Sequence, residues 1–141
     1  MDRVILIACA ALVAVSCASA PPPTAEMPID WQSVAEVRVP EIVTRDPDGA
    51  ERVTKLWLAV VDGVGLVRTG DTRWFHNIER DPNVMFRIGG YAHPLRAEIV
   101  TDEALEKRAN AAFREKYGWQ DWLIHPFGEP DSNVIRLLPR E

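Results

Sequence analysis

The stretch of sequence that decides the fold is Thr69-Gly-Asp-Thr-Arg-Trp-Phe-His-Asn-Ile-Glu-Arg-Asp-Pro-Asn-Val-Met-Phe-Arg-Ile-Gly-Gly90. It predicts the end of a strand, a polar turn, a short helix over residues 72–80 that stops at Asp81-Pro82, and a new strand over residues 84–88. Apolar side chains at every second position of that strand indicate a sheet with one buried face. Gly89-Gly90 then predicts a turn into another strand.

Four side chains at this turn form a candidate anion site. Arg68, Thr69, Thr72 and Arg73 bring two guanidinium groups and two hydroxyl groups to the point where a strand meets a helix N-terminus. Groups of this kind bind phosphate well. The alternative is structural, with both arginines solvated beside a turn and Thr72 capping the helix.

The sequence before this stretch predicts strands. Residues 40–45 read as one strand, and Asp46-Pro-Asp-Gly49 is a strong turn signal. Residues 52–61 read as one long β-rich strand, and Asp62-Gly63 joins it to residues 64–68 in a hairpin. The first half therefore predicts a three-strand meander.

The sequence after it adds a strand, a helix and a last strand. Residues 91–100 read as a strand in which Pro94 indicates an edge or a bulge. Thr101 or Asp102 caps a helix that ends at Gly118. Residues 119–132 read as an aromatic loop or broken helix, and residues 133–138 as a strand. About six strands with two or three helices predict an α+β domain, closed as a small barrel.

The first sixteen residues predict a signal peptide. Their apolar run is too short to span a bilayer as a helix. Val13-Ala-Val-Ser-Cys17 resembles a bacterial lipobox, in which Cys17 carries the lipid. Cleavage after Ala18-Ser-Ala20 and an uncleaved anchor are the alternatives. The segment has no twin arginine, which predicts export by the general route in an unfolded state.

The chain thus divides into a signal peptide over residues 1–16, a lipidated Cys17 with a Pro/Ala-rich tether over 17–30, and one domain over 31–141. The tether is expected to be extended and disordered. Cys9 would leave with the signal peptide, so the mature domain would have no disulfide. We expect a lipoprotein of the cell envelope, anchored to the membrane and facing the periplasm or the exterior.

Composition excludes one class of partner. The formal net charge is −5, from 16 basic and 21 acidic residues, and no run of basic residues occurs. A nucleic-acid-binding protein needs a basic surface. A small-molecule ligand is the expected partner.

Four further residues are candidates for a binding site. Lys55 could face a cofactor or the solvent side of its strand, and Trp57 and Trp74 could line a pocket for a planar ligand or fill the core. His76 follows the polar turn and is the one histidine that we regard as a possible site residue. No histidine has metal-ligand spacing, and no serine lies in a Gly-x-Ser-x-Gly context, so neither a metal site nor a serine hydrolase is expected.

The order of these pieces resembles the flavin- and deazaflavin-binding split-barrel proteins, the pyridoxamine-phosphate-oxidase-like superfamily. The matching pieces are Val53-Thr-Lys-Leu-Trp57, Leu66-Val-Arg-Thr69, Thr72-Arg73, the helix through Arg80 with Asp81-Pro82, and the strand Val84–Ile88. The sequence Arg73-Trp-Phe-His-Asn77 is most similar to the deazaflavin-dependent nitroreductase branch. That branch carries a glycine- and cation-rich turn between its first strands, where this chain has Asp46-Pro-Asp-Gly49.

The resemblance implies a small six-stranded antiparallel split β-barrel with two or three flanking helices, usually a homodimer with cofactor at the subunit boundary. It implies an oxidoreductase that uses FMN or a deazaflavin to reduce a small organic acceptor. The implied cofactor-binding residues are Lys55 and Trp57 near the ring or ribityl chain, Arg68, Thr69, Thr72 and Arg73 on the phosphate, and Trp74 and His76 beside them.

A second function is compatible with the same sequence. The barrel could be a non-enzymatic envelope module that binds a small hydrophobic ligand, haem or a protein partner. A cationic pocket at Lys55, Arg68 and Arg73 would favour the enzyme. A groove filled by Trp57, Trp74 or the loop over residues 119–127 would favour the alternative.

Overall fold

A computed structural model describes residues 20–124 and 132–141 of the 141-residue chain. The predicted signal peptide, the predicted lipidation site at Cys17, His125 and Phe127 lie outside the described residues. The elements are β1 (Glu41–Arg45), β2 (Glu51–Lys55), β3 (Leu58–Val61), β4 (Val64–Thr69), α1 (Arg73–Arg80), β5 (Asn83–Ile88), β6 (Tyr91–Ile99), α2 (Glu103–Tyr117), α3 (Trp119–Ile124) and β7 (Asn133–Pro139).

The strands form one curled antiparallel sheet in the order β2-β1-β5-β6-β7-β4-β3. Hairpin β1-β2 lies at one end of this order and hairpin β3-β4 at the other. The expected three-strand meander is therefore wrong, because β2 and β3 do not pair with each other. The α+β split-barrel class is confirmed, with seven strands instead of the expected six.

The extra strand arises because the run over residues 52–61 is broken at Leu56-Trp57. The backbone N–H of Leu56 donates to the carbonyl of Pro40 at 3.1 Å, and the Leu56 side chain is buried. This contact turns the chain away from β2, and β3 begins beyond it. The two residues at this corner connect the two ends of the sheet, which curls the sheet into a half-barrel.

The core fills the inside of the curled sheet. In β5 the alternation is confirmed, since Val84, Phe86 and Ile88 are buried and the residues between them are partly exposed. Trp31 packs on Phe86 with ring centroids 5.8 Å apart, and it comes from the segment before β1. Burial of each such side chain contributes about 1.5–3 kcal/mol to folding. The core is thus built from both halves of the chain.

The helices cover the barrel and follow the sequence signals closely. In α2, Asp102 caps the N-terminus by accepting a hydrogen bond from the N–H of Ala104 at 2.9 Å. Gly118 ends the helix with a φ of 56°, which a residue with a Cβ rarely adopts. Helix α1 buries Trp74, Phe75 and Ile78 against the sheet. No helix in the described part of the chain is long and apolar enough to cross a membrane.

The end of the predicted tether lies against the barrel, although we expected it to be disordered. The N–H of Ala92 donates to the carbonyl of Pro23, and the N–H of Ala25 donates to the carbonyl of Ala92, both at 2.8 Å. Thr24 thereby forms a parallel bridge with Ala92, at the beginning of β6. This half of β6 is available because β7 pairs with β6 only from Leu95 onward.

Candidate functional site

A surface cavity of about 550 Å³ lies where the corner between β2 and β3 meets the turn between β4 and α1. Seven of the eight predicted cofactor-binding residues contribute to its wall. The full lining is Arg52, Thr54, Lys55, Leu56, Trp57, Arg68, Thr69, Gly70, Thr72, Arg73, Trp74 and Ser132. The structure therefore brings together two segments that the sequence separates by more than ten residues.

Two cations of the cavity are available to a ligand. Lys55 ends β2 and Arg73 begins α1, and both side chains are exposed. Within residues 20–124 and 132–141, neither side chain makes a hydrogen bond or an ion pair. Two unpaired cations on one cavity wall create a positive field that favours an anion.

A third cation, Arg52, is already paired. Its Nε and Nη2 atoms donate to the two carboxylate oxygens of Asp46, each at 2.8 Å. Asn77 donates a further hydrogen bond to Asp46 at 2.8 Å. The hydrogen bonds from Arg52 and then Asn77 lower the pKa of Asp46 to about 2. The Asp46 carboxylate is thus neutralised within the protein, and it does not line the cavity.

Arg68 has partners within the protein. Its guanidinium forms an ion pair with Asp121 on α3, donates to Asn110 on α2 at 3.2 Å, and lies 4.5 Å from the ring centroid of Phe113. The side chain of Arg68 is 4% exposed and that of Asp121 is 2% exposed. The charge of Arg68 is therefore balanced by Asp121, and the contacts of the Arg68 side chain fix β4 to α2 and α3.

Hydroxyl groups form the polar floor of the cavity. The hydroxyls of Thr69 and Thr72 are 2.8 Å apart, so Thr72 does not cap α1 with its side chain even though it occupies the N-cap position. The Oγ atom of Ser132 is buried and has no hydrogen-bond partner in the described part of the chain. Ser132 could not be predicted as a site residue, because its neighbours at the cavity lie more than fifty residues earlier in the sequence.

The two predicted tryptophans have different surroundings. Trp57 is half-buried and stacks on Tyr117, with ring centroids 4.3 Å apart and planes at 7°. The Tyr117 hydroxyl accepts from the N–H of Leu58 at 2.8 Å, and burial raises the pKa of Tyr117. Trp74 is 5% exposed and belongs mainly to the core. Both rings line the cavity without filling it, so the cavity is open to a ligand.

His76 is the one predicted site residue that the structure does not bring to the cavity. It lies on the exposed side of α1, with Nε2 at 2.6 Å from Asp71 and Nδ1 at 3.0 Å from Glu79. Its hydrogen bond to Glu79, together with Asp71, raises the pKa of His76. Among the described residues no cluster of His, Cys, Asp and Glu could hold a metal ion.

The fold is shared with cofactor-binding proteins of known structure. An F420 reductase is 22% identical, with a TM-score of 0.54 over 82% of this chain and 97% of the other. An FAD-binding protein from Mesorhizobium loti is 17% identical, with a TM-score of 0.59 over 78% and 85%. The haem storage protein HutZ from Vibrio cholerae is 17% identical, with a TM-score of 0.63 over 78% and 87%.

These likenesses confirm the predicted resemblance at the level of fold. The chain has the split-barrel fold of the pyridoxamine-phosphate-oxidase-like superfamily, which includes flavin- and deazaflavin-binding proteins. No model of a protein family matches the sequence, and no curated protein matches it significantly.

Proposed function

We propose that the cavity binds a phosphate-bearing cofactor of the flavin type, FMN or a deazaflavin, and that the protein is an oxidoreductase for a small organic acceptor. One observation carries this proposal. Lys55 and Trp57, from the β2–β3 corner, and Thr69, Thr72 and Arg73, from the turn into α1, converge on a single cavity. The fold alone does not establish the activity, since split barrels with different ligands share it.

The residues present suit such a group. A cavity of about 550 Å³ falls within the range typical of small-molecule sites. Lys55 and Arg73 supply positive charge for a phosphate, and the Ser132 hydroxyl is a buried polar atom without a hydrogen-bond partner among the described residues. Trp57, held flat by Tyr117, supplies an apolar wall for a planar ring.

A bound flavin or deazaflavin would itself supply the hydride-transfer chemistry. The chain's own residues would bind and orient the cofactor. Arg73 and Lys55 would hold the phosphate, the hydroxyls of Thr69 and Thr72 would hydrogen-bond to it or to the neighbouring polar chain, and Trp57 would restrict water on one face of the ring. Arg68 would act indirectly by fixing β4, because its charge is balanced by Asp121.

A second candidate is a non-enzymatic envelope protein whose barrel binds haem or another hydrophobic ligand. The likeness to the haem storage protein favours it. In the described part of the chain, however, no histidine lines the cavity, so no described residue there supplies an imidazole ligand for haem iron. A cavity with unpaired cations agrees better with a phosphate-bearing ligand.

The location and assembly of the protein belong to the same proposal. We infer a lipid anchor at Cys17 and a place in the cell envelope from the lipobox-like sequence. A homodimer would complete the cavity from a second subunit. The free edge of β2, where Val53 is 48% exposed, is a surface that such a partner could cover.

The test is a titration of the purified domain with FMN, FAD, deazaflavin and haem, followed by absorbance and fluorescence. We expect binding of one flavin-type cofactor, and we expect Arg73→Ala to weaken it by about 1.5–3 kcal/mol, the value of a charged hydrogen bond. Arg96→Ala is the matched control, because it removes the same charge from an exposed position on β6 that does not line the cavity.

Equal losses of cofactor affinity in Arg73→Ala and Arg96→Ala would show a general effect of net charge and would reject Arg73 as a phosphate ligand. Binding of haem alone would favour the second candidate. Binding of none of the four compounds would reject the cofactor proposal.

A further inference from the structure

Ala20, three residues after Cys17, lies next to a second surface cavity that has exposed apolar rims. This cavity of about 610 Å³ is lined by Ala20-Pro22, by residues near the start of β1, and by the β5–β6 turn with Tyr91. We propose that this surface, which we call the exit surface (Ala20-Pro22, Val39, Lys55, Arg87 and Tyr91), lies against a lipid bilayer. The proposal rests on the inferred lipid anchor at Cys17 and not on cofactor binding.

The distance along the chain sets the first constraint. Only three peptide steps join Cys17 to Ala20, and a fully extended chain gains at most about 3.3–3.6 Å per residue. A lipid on Cys17 would therefore hold Ala20 within roughly 11 Å of the bilayer surface. Whatever protein surface surrounds Ala20 must then lie at the membrane.

The chain is also fixed just after Ala20. Pro23 and Ala25 hydrogen-bond to Ala92 on β6, so only residues 18–22 separate Cys17 from the paired segment, and residues 20–22 line the cavity. Two prolines among these three residues restrict the backbone further. The anchor would consequently set the orientation of the domain as well as its distance from the membrane.

The chemistry of the exit surface suits a bilayer interface. Val39 and Tyr91 are each 53% exposed, and tyrosine is enriched where lipid tails meet headgroups. Lys55 and Arg87 line the same cavity, opposed there by Glu41 at 3.7 Å from Arg87. The formal net charge of the chain is −5, so anionic headgroups would repel most of the protein and favour a face that carries cations.

This orientation would place the candidate cofactor site beside the membrane. Lys55 lines both the exit surface and the cofactor cavity. The cofactor cavity would therefore open near the headgroups, where a ligand or acceptor dissolved in the membrane could reach it by lateral diffusion.

The experiment uses full-length protein, processed in a bacterial host and reconstituted in vesicles that contain nitroxide-labelled lipid. A thiol-reactive fluorophore is attached at Val39→Cys or, separately, at Tyr91→Cys. The matched control is Ile99→Cys, which is also exposed and lies at the far end of β6, roughly 26 Å from Tyr91 at about 3.3 Å per residue. Mass spectrometry of the mature protein reports the lipid on Cys17.

We expect a lipidated protein in which quenching at Val39 and Tyr91 is several-fold stronger than at Ile99. Equal quenching at all three positions would overturn the proposal, and so would a mature protein without lipid. A fluorophore at Val39 that is shielded from water without being quenched would place a protein there instead. None of these results depends on the flavin titration, so the two proposals can fail separately.

Discussion

Removing the carboxylate of Asp121 should destabilise the domain strongly. Asp121 is 1% exposed, and it balances the charge of Arg68, whose side chain is 4% exposed. In Asp121→Ala the guanidinium would stay buried and lose this carboxylate, because the pairing of β4 with β7 fixes the backbone of Arg68. The desolvation of a buried charge is costly unless an opposite charge offsets it.

The structure sets the size of this effect. Removing one partner of a buried ion pair costs about 3–5 kcal/mol. Asn110, which accepts from Arg68 at 3.2 Å, and the ring of Phe113 would remain among its partners, so we expect a loss near the lower end, about 3 kcal/mol. That is a large part of the roughly 5–15 kcal/mol by which a domain is usually stable. Replacing both charges, as in Arg68→Met with Asp121→Leu, should restore most of the loss.

Urea unfolding followed by tryptophan fluorescence measures these free energies. The control is Lys107→Ala, which breaks an ion pair of 2.7 Å to Glu103 whose side chains are 75% and 80% exposed. An exposed pair of this kind is worth only about 0.3–0.5 kcal/mol. A loss in Asp121→Ala no larger than in this control, or a double variant as unstable as the single one, would refute the argument that Arg68 is held by a buried counterion.

Two further predictions concern stability. The hydrogen bond from Arg52 lowers the pKa of Asp46 from 3.8 to about 2, so the ionised carboxylate stabilises the fold above pH 3.8, and this stabilisation is lost as the pH falls towards 2. Asp46→Asn should therefore flatten the acid-unfolding curve between these pH values. An unchanged curve would contradict this prediction. A Cβ on Gly65 would lie 2.3 Å from the Trp31 ring, so Gly65→Ala should cost about 1–3 kcal/mol in thermal unfolding, and the cost should vanish in a Trp31→Leu background.

Much of the fold follows from local signals in the sequence. The cap at Asp102, the terminal Gly118 and the alternation in β5 each act within a few residues, and all three predictions are confirmed. The division of residues 52–61 into two strands was missed for the opposite reason. Residues with high β-propensity lie on both sides of Leu56, and the break depends on a hydrogen bond to Pro40, sixteen residues earlier.

The same distinction applies to the candidate site. The turn residues Thr69, Thr72 and Arg73 are neighbours in sequence, so their meeting could be predicted, and the resemblance supplied Lys55 and Trp57 from another strand. Sequence alone could not show that Arg68 would pair with Asp121, since that pairing depends on how α3 packs on β4. The exposed position of His76, by contrast, agrees with the amphipathic pattern of α1, in which Trp74, Phe75 and Ile78 define the buried face.

The open position of the cavity bears on how an exported protein could carry a cofactor. If the chain crosses the membrane unfolded, as its N-terminal sequence predicts, any non-covalent cofactor must bind after the barrel has folded. The core residues pack on one another, with Phe86 and Ile42 fully buried, so the core needs no ligand to fill it. Lys55 and Arg73, the cations proposed to bind the ligand, are exposed at the surface. Folding first and binding afterwards is therefore physically consistent for this barrel, and a cofactor supplied outside the cytoplasm could reach the site without any opening of the core.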